Sequence, residues 1–223
     1  MVYCVCLFQH FFQCSKCKEV RSKVDLAFIV SLTLTSSSAA QDISVKGMFS
    51  ASANAETVDA TCSKCGCLSA VSRTTYVAIG ANVITQLMRF RWNQTANANS
   101  KVRQASWPCL ISLNNGAQDS THVALSPILD ICTSPPSART PNPRRFLLVG
   151  NVMHTGRTLN SGHYYADLRC NRRWIRVNDT SVKQLEWDNV QVQNPSWSGM
   201  AYVQIYSCSS NHLQAAQVLE PRK

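Results

Sequence analysis

The chain has 223 residues, 45% of them hydrophobic and 15% charged, which excludes a disordered chain and suits one large domain. Lysine and arginine exceed aspartate and glutamate by 22 − 12 = 10, a balance compatible with nucleic acid, an anionic membrane or an acidic protein face, and selecting none of them. No run approaches the ~18 apolar residues of a membrane-spanning helix, and Met1 to Phe12 lacks the basic start and small-residue cleavage site of a signal peptide.

In chain order, Val2 to Phe12 is apolar and aromatic and predicts a strand leading into Cys14. A basic turn, Lys18 to Lys23, precedes Leu26 to Leu34, whose β-branched and aromatic content predicts a second strand. Ser36 to Gln41 reads as a loop, Val45 to Ser50 as a short helix, and Cys62-Ser-Lys-Cys65-Gly66 as a tight knuckle turn. Strands follow at Arg73 to Ile79 and Val83 to Phe90, joined by Gly80-Ala81-Asn82. Asn93 to Ser106 is polar and loop-like, and residues 133–145 carry four prolines and three arginines, the composition of an exposed insertion. Beyond it, strands are predicted at Phe146 to His154, Tyr164 to Arg169, Arg172 to Val177 and Ala201 to Ser207, with Val182 to Trp187 as a short helix. The pattern is mainly antiparallel β with few helices.

Eleven cysteines, an odd number, argue against a disulfide framework and for a reducing, intracellular setting. Cys14-x-x-Cys17 and Cys62-x-x-Cys65 each let two thiolates reach one tetrahedral ion from a tight turn. Four such sulfurs make a closed zinc site that holds a fold and does no chemistry. The 44 residues between the pairs exceed the roughly 15–20 of a compact zinc ribbon, so structure must be inserted between the knuckles. Cys67, a fifth thiol nearby, reads as a small buried hydrophobe.

The densest signal is Val152-Met-His154-Thr-Gly156, then Ser161-Gly162-His163-Tyr164-Tyr165-Ala166, then Trp174-Ile-Arg-Val-Asn178-Asp179-Thr-Ser-Val182, then Ala201-Tyr202-Val-Gln-Ile-Tyr206. His163 opens a strand after a glycine, and one hairpin later a strand ends in Asn178-Asp179. Adjacent strands of this kind place an amide or carboxylate beside an imidazole and hold it in one tautomer, the arrangement of a histidine base. A structural histidine bonded to its neighbour is the alternative reading of the same residues.

These runs resemble the histidine box of the ubiquitin-specific proteases, papain-like thiol hydrolases, which typically show G-H-Y-x-A, W-x-x-F-N-D-x-x-V and A-Y-x-L-x-Y in that order. Leu87-Met-Arg-Phe90 is similar to the family's L-x-R-F strand, and the paired knuckles are similar to the zinc tip of its fingers subdomain. The resemblance implies an α+β fold of the papain-like type, with fingers over about residues 7–80, a palm over about 81–208 and a tail at 209–223. It implies that His163 is the general base and Asn178 its orienting partner, with Asp179 assisting. The groove for the ubiquitin tail would involve His154, Gly162, Tyr164 and Trp174, with residues 154–162 as a loop over it and Trp174 packing beneath. One structural zinc would be held by Cys14, Cys17, Cys62 and Cys65. Ubiquitin and ubiquitinated proteins would be the partners, in the cytoplasm or nucleus, with neither membrane nor nucleic acid expected.

The family's nucleophile sits in a G-N-x-C-Y/F motif. The cysteines before the first knuckle, Cys4 and Cys6 in Tyr3-Cys-Val-Cys-Leu7, lack that context. The leading expectation is therefore the C-terminal part of a thiol-dependent deubiquitinase without stand-alone activity. A catalytically dead ubiquitin-binding or scaffold paralogue is the alternative. A zinc-ribbon nucleic-acid binder is the weakest reading, because the basic residues are scattered rather than interleaved with aromatics.

Overall fold

The computed structural model describes residues 4–34, 43–89, 119–133, 142–158, 161–194 and 198–208. The segments 36–41 and 93–106, most of the Pro/Arg-rich stretch, Phe90, Cys109 and the tail from 209 lie outside the described residues.

Two mainly antiparallel sheets carry the chain. The smaller is built from β1 (Cys6–Cys14), β2 (Val20–Ala27), β4 (Glu56–Asp59) and β5 (Ser69–Ile79), in the order β2-β1-β5-β4. The larger takes β3 (Val30–Thr33), β6 (Asn82–Met88), β8 (Asn142–Thr158), β9 (Ser161–Cys170), β10 (Arg173–Asn178), β11 (Ser181–Leu185) and β12 (Met200–Cys208), in the order β11-β10-β9-β8-β12-β6-β3. A further strand, β7 (Ile128–Thr133), pairs with the start of β8. β8 is the spine: one edge pairs with β12, and the other takes β7 and then β9. Two short helices, α1 (Val45–Ala51) and α2 (Trp187–Gln191), complete the fold. Ser44 caps α1 by accepting the Gly47 N–H at 3.0 Å, satisfying one of the donors a helix start leaves unpaired. No helix among the described residues is long and apolar enough to cross a membrane.

Alternation places the core. In β7 and β6 every second residue is buried, so Leu129, Ile131, Val83 and Leu87 meet Phe146, Leu148, Met153 and Tyr206 on one face of the larger sheet. A buried Arg89 just beyond β6 organises the other boundary of this core. Its guanidinium donates to Ala201 O, to Asp119 O at 2.9 Å, to Thr121 O at 2.7 Å and to Gln193 Oε1 at 3.1 Å. Burial pushes its pKa down to about 10, so the group stays charged at neutral pH. The carbonyls it gathers belong to β12 and to the 119–125 segment, which Gln191 and Gln193 stitch from the far side through Leu125 and Val123.

Several elements differ from the sequence reading. The strand expected over Leu26 to Leu34 breaks at a bend, Phe28–Ile29, and its second half, β3, runs parallel to β6 in the larger sheet. The 7–80 span therefore contributes to both sheets. The helix expected over Val182 to Trp187 is instead β11 followed by α2. Asp179 adopts φ 50° in a two-residue hairpin turn that brings Val182 opposite Val177, and the sheet edge claims the segment before a helix can begin. Part of the presumed insertion, Asn142 to Arg145, pairs with β7.

Replacing Arg89 by Met should lower stability by about 2–4 kcal/mol, because several buried carbonyls lose their donor together. Urea denaturation of the two proteins measures the difference.

Candidate active site and metal centre

His163 lies near the start of β9, on the face that it shares with Tyr165 and Asp167. The β9–β10 register sets Arg176 against Asp167 and Val177 against Ala166, so Asn178 emerges on that same face beside Tyr165. The diagonal step to His163 is within reach of a side chain. His163 Nε2 meets Asn178 Oδ1, and Asp179 Oδ2 lies 3.8 Å from the same nitrogen. An amide oxygen can only accept, so Nε2 carries the proton in the neutral ring and Nδ1 presents its lone pair. The imidazole is about half exposed, at 47%. The structure brings His163, Asn178 and Asp179 together, with the aspartate 78% exposed at the turn.

The glycine before His163 has a steric cause. A Cβ on Gly162 would stand 2.2 Å from His154 Nε2 and 2.5 Å from Thr155 O. His154 is fully buried under that glycine, its ring 4.5 Å from the ring of Tyr164, and burial pushes its pKa down. It therefore does not line a groove as expected, whereas Tyr164, 43% exposed, remains at the surface. Trp174 is buried against Trp187 at 5.6 Å and is a packing residue. Residues 154–162 are not a free loop either, since β8 runs to Thr158 and β9 starts at Ser161.

Two residues near the site escaped the sequence reading. Asp167 is fully buried and receives Arg176 Nε at 2.7 Å and Nη2 at 2.9 Å. Opposite charges at same-face positions of W-I-R-V-N and Y-A-D-L were the available signal. No described cysteine hydrogen-bonds His163: Cys6 sits in β1, where burial pushes its thiol up to about 11.

The four knuckle cysteines converge, with all four sulfurs within 4.8 Å of one another. Cys14 and Cys65 are 3.5 Å apart, and Cys17 and Cys62 are 3.6 Å apart. A tetrahedron of ~2.3 Å metal–sulfur bonds needs sulfurs about 3.8 Å apart, so the cage fits one metal ion. The two turns match: Lys18 N–H returns to Cys14 O and Gly66 N–H to Cys62 O, with Lys18 at φ 61° and Gly66 at φ 69°. β2, β3, α1 and β4 occupy the 44-residue interval between them. The Cys17 and Lys16 backbone N–H groups hold the Cys14 thiol down at about 6, and those of Cys65 and Lys64 lower Cys62. Cys17 moves up to about 12: the Glu19 N–H lowers it, but burial and its hydrogen bonds to the other three thiols outweigh that. Four thiolates cannot ionise side by side without a cation, and a divalent ion resolves that conflict.

A Gly162→Ala substitution should cost about 1–3 kcal/mol through overpacking against His154, and should disturb the β8–β9 register. Thermal unfolding and the backbone amide shifts of Thr155 and His163 report both effects.

Residues 4–206 match the family described as ubiquitin carboxyl-terminal hydrolase. The chain is 23% identical over 178 residues to the probable ubiquitin carboxyl-terminal hydrolase 8 of Schizosaccharomyces pombe, covering 79% of this chain and 33% of that protein. Among solved structures it resembles a chain of the SAGA Ubp8/Sgf11/Sus1/Sgf73 DUB module bound to ubiquitin aldehyde, with a TM-score of 0.70 at 15% identity, covering 93% of this chain and 42% of that one. A second structure, of the Ubp8-Sgf11-Sgf73-Sus1 SAGA DUB module, gives a TM-score of 0.64 at 15% identity, with coverage of 93% and 40%. The chain spans about a third of the curated relative that it matches. The histidine-box order, the two-sheet fold and the extent of the family match agree: the chain belongs to the ubiquitin carboxyl-terminal hydrolase family, in its ubiquitin-specific protease branch.

Proposed function

We propose that this chain is the fingers-and-palm part of a thiol-dependent deubiquitinase that cleaves the bond after the C-terminal glycine of ubiquitin. The observation that carries the reading is the His163–Asn178 contact, with Nε2 engaged and Nδ1 left as the basic nitrogen on a half-exposed ring. A cysteine supplied from outside the described residues loses its proton to His163 Nδ1, and its sulfur attacks the glycine carbonyl. The tetrahedral intermediate collapses as His163 returns the proton to the departing lysine amine, leaving a thioester that water hydrolyses. Asn178 keeps the ring in the Nε2–H tautomer, and Asp179 adds negative charge nearby that favours the transient imidazolium. Tyr164 and Gly162, exposed beside His163, flank the path of the ubiquitin tail.

The smaller sheet serves as fingers, tipped by one structural zinc on Cys14, Cys17, Cys62 and Cys65, and the larger sheet as palm. All described cysteines are free thiols, in keeping with a reducing cytoplasmic or nuclear setting. A ubiquitin-binding scaffold without activity is the second reading, favoured by the lack of any described thiol bonded to His163.

Purified chain should carry close to one zinc per molecule. A Cys14→Ser, Cys62→Ser double variant should lose it, together with folding free energy on the order of 10 kcal/mol. Elemental analysis of both proteins tests the cage, and unchanged zinc in the variant refutes it.

Ubiquitin bearing a thiol-reactive C-terminal warhead should leave this chain unlabelled. A stoichiometric adduct abolished by His163→Ala would place the nucleophile among its own cysteines and overturn that expectation. Binding of the same probe without an adduct is common to both readings. Labelling of a longer form that supplies a G-N-x-C-Y/F cysteine, lost again in His163→Ala, separates enzyme from scaffold.

A further inference from the structure

A row of polar side chains crosses the buried face of the larger sheet, one from each of five neighbouring strands. Thr85 on β6 stands opposite Gln204 on β12, Gln204 opposite Asn151 on β8, Asn151 opposite Asp167 on β9, and Asp167 opposite Arg176 on β10. The first four are fully buried. Thr85 Oγ1 donates to Gln204 Oε1 at 2.9 Å, and Gln204 Nε2 donates to Asn151 Oδ1 at 3.3 Å. Arg176 closes the row on Asp167 with its two-pronged contact. Its guanidinium also lies 4.4 Å from the centre of the Tyr165 ring, and the Tyr165 hydroxyl donates to Ser198 O.

The position of this row gives it a role. Along β10, Arg176 is two residues before Asn178 on the same face; along β9, Asp167 is two residues past Tyr165 and four past His163. An aliphatic pair at this rung would tolerate small shifts and rotations between β9 and β10. A planar fork on a buried carboxylate tolerates neither, because displacement leaves a buried charge unpaired. We propose that Arg176, acting through Asp167, is the positioning residue that fixes the Asn178 amide against His163 Nε2. The proposal rests on the reading of His163 as a base oriented by Asn178. Its distinct content is that the orientation is set from outside the His163–Asn178–Asp179 cluster, by a charge pair that makes no hydrogen bond to His163.

The readout is the tautomer of the His163 ring, taken from long-range proton–nitrogen correlation spectra of the full chain labelled at its five histidines and assigned with a His163→Gln variant. The ratio of Nε2–H to Nδ1–H forms in native protein is compared with that in Arg176→Lys, Arg176→Met, Asp167→Asn and Asn178→Ala. Arg176→Lys keeps the charge but loses the fork, so it reports the same quantity should Arg176→Met fail to fold. We expect the ratio to fall by about three- to tenfold in Arg176→Lys and Asp167→Asn, the weight of one net hydrogen bond, and to fall as far in Asn178→Ala. A ratio that collapses in Asn178→Ala but holds at the native value in Arg176→Lys and Asp167→Asn, even with lowered melting temperatures, would overturn the proposal and leave a stabilising pair. A ratio unmoved by Asn178→Ala would instead refute the orienting role of Asn178 itself.

Discussion

The register between β9 and β10 is the constraint on which the candidate site depends. Side chains alternate faces along a strand, so a slip of one residue would turn Asn178 away from His163 and replace it with Val177 or Asp179. β10 is held on both sides, by β9 and by β11, and β9 is in turn fixed to β8, which takes three partner strands. Hydrophobic alternation alone sets such a register loosely, because Ile175 and Val177 are both half-buried and nearly interchangeable in size. The pairing of buried Asp167 with Arg176 sharpens it, since these two opposite charges meet in one register only.

The same sheet meets a second electrostatic demand at its other end. Arg89 is buried, and among the described residues main-chain carbonyls and the Gln193 amide supply its hydrogen-bond partners. A guanidinium suits this task because its donors are spread in a fixed plane and can gather separate segments. It ties β12, the 119–125 segment and the residues after α2 into one boundary of the core. β12 thereby stays seated beside β8, and β8 keeps its hold on β9. A charge far from His163 supports the geometry at His163 through strand pairing.

The four-cysteine cage sits on a different sheet and could hold a metal ion by different physics. Its two knuckles lie at the end of β1 and just before β5, strands that pair along their whole lengths. Two backbone N–H groups lower Cys14 and two lower Cys62, which favours at those two sulfurs the thiolate form that a cation binds. The two sheets meet at Ile79, which ends β5, and Asn82, which opens β6. Structure on one side of that junction can be stabilised by metal, while the other relies on a core of Leu87, Phe146, Leu148 and Tyr206.

Much of this was legible from the residues. Paired C-x-x-C motifs identified the cage because thiol spacing is a local property of a turn, and the strands came from alternation and β-branched content, also local. The order of G-H-Y, W-I-R-V-N-D and A-Y-V-Q-I-Y indicated the family and the pairing of His163 with Asn178. The errors fell where a partner strand, not the segment itself, chose the conformation. Val182 to Trp187 has no preference strong enough to resist a hairpin edge, and Val30 to Thr33 joins the larger sheet because β6 offers it a parallel edge. His154 read as a groove residue, since nothing in V-M-H-T-G says which way the ring points; the missing Cβ of Gly162 opens the space that buries it. Arg89, Asp167 and Arg176 look like ordinary charges in a basic chain. Burial of Arg89 and Asp167 gives all three their roles, and that burial comes from packing between segments that lie far apart along the sequence.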